Sequence, residues 1–193
     1  MPHPVQNDTE RVGIEALRAL AHPLRVQLLE QLGVRQCATA SMLARDIGES
    51  SGATSYHLRQ LARHGLIEED TERGTARERW WRRRSTGLTL VGHDFMDNPE
   101  TSGAARIVVE EIHRGMARRL GHWLETARSD WSRPWLESSV DSYQNLRLAP
   151  EQLGELVGEL YAVIDRYRRL APGEGAAPVE VQLNAFPKPE PSA

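Results

Sequence analysis

The chain has only one cysteine, Cys37, and only one lysine, Lys188. A lone cysteine excludes an intrachain disulfide, which fits a reducing compartment. No apolar run approaches the roughly 20 residues of a membrane-spanning helix, and residues 1–8 lack the basic and apolar segments of a signal peptide. We therefore expect a cytoplasmic protein. Cys37 is expected to pack as a small apolar residue, with a redox role as the alternative.

A general excess of positive charge is also missing. The formal net charge is −3 and the sequence pI is about 6.2, so the whole molecule is not a general polyanion binder. Any contact with nucleic acid must come from local clustering of charge. Because nearly all the basic residues are arginines, the arginine count alone says little, and only its clustering is informative.

Two short helices joined by a tight polar turn are predicted within residues 39–64. The first spans Ala40–Ile47 and ends at Gly48, since glycine takes a left-handed conformation cheaply. Ser50 or Ser51 then caps a second helix, which Gly65 ends. Its apolar positions Thr54, Leu58 and Leu61 form one buried stripe. Small or polar side chains suited to a major groove lie on or near the other face, namely Ser51, Gly52, Ser55, Tyr56, Arg59 and Arg63. His57 points toward the core, so we expect it to be half-buried with a backbone partner.

An arginine-rich hairpin is predicted directly after these helices. Residues 66–71 form a short strand, residues 72–76 the turn with Gly74, and residues 77–84 the return strand. Between residues 71 and 84 we count six arginines against two glutamates. Alternation places Arg77, Arg79, Trp81 and Arg83 on one face. This clustering favours contact with DNA phosphates; a solvated face or a protein-binding surface is the alternative.

The combined pattern resembles the ArsR/SmtB-type winged-helix repressors. The resemblance begins at residues 19–29, which read ALAHPLRVQLL, and continues through LARDIG at 43–48, SYHLRQL at 55–61 and GLI at 65–67. The segment ERWW at 78–81 fits the wing. The resemblance covers about residues 10–84, under half of the chain, and it is specific only as a joint pattern.

What the resemblance implies is a DNA-binding homodimer that regulates transcription. By matching position, Ser51, Gly52, Ser55, Tyr56 and Arg59 are the implied recognition-helix contacts. The implied wing contacts are Arg73, Thr75 and Arg77. The residues agree with the expected scaffold, because Pro23 is preset for a first helical turn and the chain from Leu24 carries a broad apolar stripe. A helix over residues 10–21 is expected to precede it.

The second half is predicted to hold a long helix and a small strand–helix–strand region. Residues 103–128 have a near-heptad seam, which we interpret as a dimer helix, the alternative being burial within its own subunit. Its members are Ala105, Val108, Ile112, Met116, Leu120, Trp123 and Ala127. A helix from Pro150 is flanked by predicted strands at 140–148 and 179–186. The aromatic residues are expected to be core rather than a ligand pocket; they are Trp123, Trp131, Trp135, Tyr143, Tyr161, Tyr167 and Phe186.

Signals for metal binding and catalysis are weak. His113 and His122, nine residues apart on the long helix, face opposite ways. Glu110 and His113 share a face, but two ligands are too few. The chain has no glycine-rich phosphate loop and no nucleophile elbow. The prediction is a non-enzyme without metal or cofactor.

The sequence as a whole therefore predicts a mainly α protein with a small β part. Residues 1–9 are expected to be a disordered arm, 10–84 a winged helix-turn-helix DNA-binding domain, 85–186 a dimerisation and effector region, and 187–193 a disordered tail. The expected partners are double-stranded DNA with an inverted-repeat operator, a second copy of the chain and an unidentified small-molecule effector. The alternative is a winged-helix module that binds protein without contacting DNA.

Overall fold

A computed structural model describes residues 9–11, 13–73, 78–84, 87–89 and 95–189. The fold is mainly helical with a small three-stranded sheet, and it joins a winged helix-turn-helix to a long C-terminal helix, as predicted. Its described residues fall into two compact units, one within Asp8–Glu125 and the other from Thr126 onward. Among the described residues, none of the helices combines the length and apolar composition that a membrane crossing needs.

The first elements correct one prediction. A helix over residues 10–21 was expected, but Thr9–Arg11 is a strand, β1, which pairs in parallel with β5 at Gly87–Thr89. Helix α1 spans only Ile14–Leu20, because Gly13 before it has an extended backbone and glycine gains little from helix formation. The predicted arm at residues 1–9 lies outside the described residues except for Thr9.

The next helix, α2, spans Pro23–Arg35 and contributes one apolar face to the core of the domain. His22 caps it, since the His22 Nδ1 accepts a hydrogen bond from the Leu24 backbone N–H at 3.2 Å. Pro23 occupies the first turn as predicted. The predicted apolar stripe is buried in the core and comprises Leu24, Val26, Leu28, Leu29 and Leu32.

The two predicted helices of the helix-turn-helix are present. Helix α3 spans Ala40–Ile47, and Gly48 ends it with φ +72°, ψ +30°, the left-handed conformation predicted for it. Helix α4 spans Ser51–Arg63, and Gly65 just beyond it also has positive φ. The loop between the helices is held by the Ser50 cap, whose Oγ accepts from the Ala53 N–H at 3.2 Å.

A three-stranded antiparallel sheet completes this unit. Its strands are β2 at Cys37–Thr39, β3 at Ile67–Glu69 and β4 at Trp80–Arg83, in the order β2-β4-β3. Ala38 pairs with Trp81, and Glu68 pairs with Arg82. The hairpin prediction is therefore confirmed in its strands. Residues 74–76 of the predicted turn and residue 77 of the predicted return strand lie outside the described residues.

The long helix, α5, spans Pro99–Asp130 and contains the whole predicted helical segment 103–128. Its first part packs on the helix-turn-helix core through Ala105 and Val108. Gln27 of α2 donates a 2.8 Å hydrogen bond to Glu111, which is 1% exposed. This part of the predicted seam is thus buried within its own chain, as the alternative interpretation had it.

The region beyond α5 departs from prediction. Helix α6 at Arg133–Ser138 was not expected, whereas α7 at Pro150–Arg168 was. The predicted strands at 140–148 and 179–186 are wrong, because both segments lack hydrogen-bonded ladder partners. Alternating hydrophobicity favours a strand only where a neighbour and a face to bury are at hand. Tyr143 and Phe186 were predicted to be core, but they are 83% and 70% exposed. Trp135 and Tyr161 are half-buried.

Candidate nucleic-acid interface

Helix α4 is fixed by one face and open on the other. Thr54, Leu58 and Leu61 are fully buried, so they hold the helix against the core. Ser50 satisfies one of the free backbone N–H groups at its start. A helix held this firmly presents its remaining face in a fixed direction. The local signals that produce it are the cap, the apolar stripe spaced four and three, and the glycine at its end.

The structure brings the predicted recognition residues together on the open face. Five of them are exposed, namely Ser51, Gly52, Tyr56, Arg59 and Arg63. Ser55 is half-buried. Tyr56 is 53% exposed although it is a large aromatic residue. The face combines a phenol, two guanidinium groups and small residues that permit close approach, the side-chain chemistry suited to base edges in a major groove.

One flank of α4 carries a cluster of rings. His57 is half-buried, as predicted, and its ring centroid lies 4.4 Å from that of His22 and 5.1 Å from that of Tyr56. The prediction that His57 has a backbone hydrogen-bond partner is wrong, since its buried Nδ1 has no partner among the described residues. Burial lowers the pKa of His57, and the nearby His22 and Arg25 lower it further. His57 is therefore a structural residue at the base of the recognition helix.

The predicted wing residues are only partly described. Arg73 is exposed, and its Nε lies 3.9 Å from the Asp70 carboxylate, too far for a hydrogen bond. Thr75 and Arg77 lie outside the described residues. Asp70 instead accepts a hydrogen bond from the backbone N–H of Glu72 at 3.2 Å, which orders the start of the turn.

The charge of the hairpin is smaller than the arginines indicated. Glu68 of β3 contacts Arg82 at 2.7 Å and Arg84 at 3.7 Å, and Glu69 lies 3.9 Å from Arg79. Counted over residues 67–84, the hairpin has six arginines and five acidic residues, for a net charge of +1. The count of six arginines against two glutamates over residues 71–84 is correct, but it leaves out the acidic first strand, which cross-strand pairing sets against the arginines.

The predicted alternation of side chains along β4 is confirmed for Trp81 and Arg83, but the face on which they lie packs against the core. Trp81 is 6% exposed and belongs to the hydrophobic core. Arg83 points the same way and packs over Gly33, where an added Cβ would lie 2.8 Å from the Arg83 guanidinium. Burial lowers the pKa of Arg83, partly opposed by the charge of Glu30. Arg83 is thus half-buried and packed against the domain.

A cleft between α3, α4 and β4 contains residues that the sequence reasoning missed. Its walls are Ala40 and Ser41 of α3, Ser55 and Arg59 of α4, and Glu78, Arg79 and Trp81 at β4. No linear motif unites these seven positions, because they lie on three segments of the chain that only the fold brings together. The predicted hairpin alternation did place Arg79 and Trp81 on one side, which was the available signal.

Cys37 is tied into the base of the hairpin. Its Sγ donates a 3.4 Å hydrogen bond to the Asp70 carboxylate. Burial raises the pKa of the Cys37 thiol, and the hydrogen bond and negative charge of Asp70 raise it further. A thiol held in the protonated form is a poor nucleophile. This environment fits packing rather than the alternative redox role.

Comparison with known proteins supports the fold at this site. A protein-family profile described as a helix-turn-helix domain matches residues 20–70, which span α2 to β3. A search among curated proteins finds no match. The domain indicates a DNA-binding regulator in general. Residues 20–70 of this chain are therefore a helix-turn-helix domain, the part of such regulators that contacts DNA.

Proposed function

We propose that this protein is a transcriptional regulator of the ArsR/SmtB-like type that binds operator DNA as a homodimer. The observation that carries the proposal is the open face of α4. Five predicted recognition residues are exposed there, while Thr54, Leu58 and Leu61 anchor the opposite face. Regulators of this kind act in the cytoplasm, where the operator is.

In this proposal α4 lies in the major groove and reads base edges, with Arg59 and Tyr56 as the residues of longest reach. Ser51, Gly52, Ser55 and Arg63 complete the recognition surface. The wing residues Arg73, Thr75 and Arg77 would contact phosphates, which sets affinity and register rather than sequence choice. The small net charge of the hairpin implies that few such contacts support binding.

The homodimer is supported by the apolar surface of the region from Thr126 onward. Val140 is 82% exposed and Val179 68% exposed. Four apolar residues in the last part of α7 and just after it are exposed. They follow one another at intervals of three or four residues, namely Leu160, Val163, Tyr167 and Leu170. A second copy of the chain carries the same apolar residues, so two copies would bury these surfaces against each other. Residues 85–186 would then provide dimer contacts and any effector site. Two recognition helices one helical turn apart require an inverted-repeat operator.

The test is selection of bound fragments from the source genome, followed by titration of a selected duplex at several salt concentrations. We expect an inverted repeat, a dimer by light scattering and a linear fall of log K with log salt. Arg59→Ala should change the base preference at one position of the operator, whereas Arg73→Ala should weaken binding to all sequences alike. Absence of salt-dependent binding to any fragment would favour the protein-interaction module instead.

A further inference from the structure

The cleft beside α4 brings together donors from three elements. Ser41 is exposed at the start of α3, Ser55 is half-buried on α4, and Arg79 is exposed just before β4. Trp81 forms the floor and is itself fixed in the core, with 6% of its surface exposed. Because Trp81 and Arg79 are two residues apart, their side chains project to the same side of the hairpin. The cleft is thus a built feature whose floor is part of the folded core.

Charge in the cleft favours an anion. Arg59 and Arg79 line it together with a single acidic residue, Glu78. The Arg79 Nε lies 3.9 Å from the Glu69 carboxylate, longer than a hydrogen bond, so its guanidinium is not committed to that partner. Arg82 differs, since Glu68 holds it at 2.7 Å on the other side of the strand. Glu68 therefore competes for the Arg82 guanidinium more strongly than Glu69 competes for that of Arg79.

We propose that this cleft seats one phosphate of the DNA backbone, with Arg79 as its principal ligand and the hydroxyls of Ser41 and Ser55 as further donors. The inference rests on the proposed function. A guanidinium with two hydroxyls supplies the hydrogen bonds that phosphate oxygens accept. The cleft adjoins the open face of α4, and phosphates line the groove that such a helix enters. The negative charge of Glu78 repels the phosphate, which weakens the part of DNA binding that does not depend on sequence.

Two variants with opposite expected effects test the site. Losing one phosphate contact lowers the slope of log K against log salt by about 0.9. Arg79→Ala should therefore weaken binding about fifteenfold at 0.05 M salt but only about fourfold at 0.2 M. Glu78→Gln should tighten binding about threefold at 0.05 M, since it removes one repulsive charge near the phosphate. Arg82→Ala is the matched control, with the same charge change on the same strand, and should stay within twofold.

Replacing single phosphates of the duplex by uncharged methylphosphonates then locates the contact. One position should weaken the wild type and leave Arg79→Ala unaffected. Inorganic phosphate at millimolar concentration, titrated without DNA, should cause no saturable change in Trp fluorescence. Saturable binding would mean that the cleft takes free phosphate, which would overturn the assignment to DNA.

The result that overturns the inference alone is clear binding of the wild type to DNA with equal salt slopes for Arg79→Ala and Arg82→Ala. A weaker Glu78→Gln variant would also contradict it, because Glu78 would then be holding the arginines rather than opposing a phosphate. Absence of any DNA binding by the wild type would instead sink the proposed function. Thermal melting of each variant shows that the fold is retained, so a loss of affinity is not a loss of folded protein.

Discussion

Glu111 is the buried charge that holds the long helix to the helix-turn-helix domain. It accepts hydrogen bonds from Gln27 of α2 at 2.8 Å and from Arg118 at 3.3 Å, and it pairs with Arg114. Burial favours the neutral carboxyl, but together these hydrogen bonds and charges outweigh burial and lower the pKa of Glu111. We predict that Glu111→Ala will destabilise the protein, because it leaves Gln27 without its acceptor and two arginines without their anion.

The expected loss in the free energy of unfolding depends on how exposed the arginine partners of Glu111 are. Removing one member of a fully buried ion pair costs about 3–5 kcal/mol. Here the side chains of Arg114 and Arg118 are 55% and 51% exposed and can return to water, so we expect about 2–3 kcal/mol. For a unit of this size that lowers Tm by roughly 10 °C. Urea denaturation and thermal melting followed by circular dichroism measure both quantities.

Glu110→Gln is the matched control, since Glu110 is the exposed neighbour on the same helix. It should change the free energy of unfolding by less than about 0.5 kcal/mol. Because the folded-state pKa of Glu111 is lowered, its stabilisation is present above the unfolded value of about 4.3 and is lost as pH falls through the folded value. The advantage of wild type over Glu111→Gln should shrink over that acidic range. Equal stability of Glu111→Ala and Glu110→Gln at pH 7 would refute the reasoning.

Three further predictions concern the helix-turn-helix unit. The pKa of His57 is lowered by burial and by His22, so its stabilisation is present above the unfolded value of about 6.5 and is lost as pH falls below it; urea titrations between pH 5 and 8 should show a weaker pH dependence for His57→Gln. Gly48 has φ +72°, so Gly48→Ala should cost about 1 kcal/mol in urea denaturation, and a neutral result would contradict the strain. Cys37 should react with iodoacetamide more slowly than a free thiol at pH 8, and Asp70→Asn should accelerate it, since Asp70 helps to raise the Cys37 pKa.

Local signals in the sequence predicted helices α2, α3 and α4 well. Pro23, Gly48 and Gly65 mark helix boundaries through their own backbone preferences, and Ser50 does so through a side chain that reaches three residues ahead. These effects act over a few residues, so they can be read without knowing the fold. The same reasoning predicted which residues share the open face of α4.

Features that depend on pairing between distant segments could not be predicted in this way. The acidic residues opposite the arginines of β4 become apparent only when the register of Glu68 with Arg82 is known. The buried position of Glu111 depends on contact with Gln27, 84 residues earlier in the chain. The cleft depends on the meeting of α3, α4 and β4. The segments 140–148 and 179–186 show the reverse error, in which a strand-like pattern has no partner strand.

The most direct test of the account is the affinity of the purified protein for a genome-selected duplex, measured against salt concentration for the wild type and for a Tyr56→Ala, Arg59→Ala variant. The account predicts tight binding by the wild type, with log K falling linearly as log salt rises. It also predicts loss of the preference for the selected duplex over random DNA in the variant, with its fold intact. An unchanged preference in that variant would contradict the claim that the open face of α4 reads DNA.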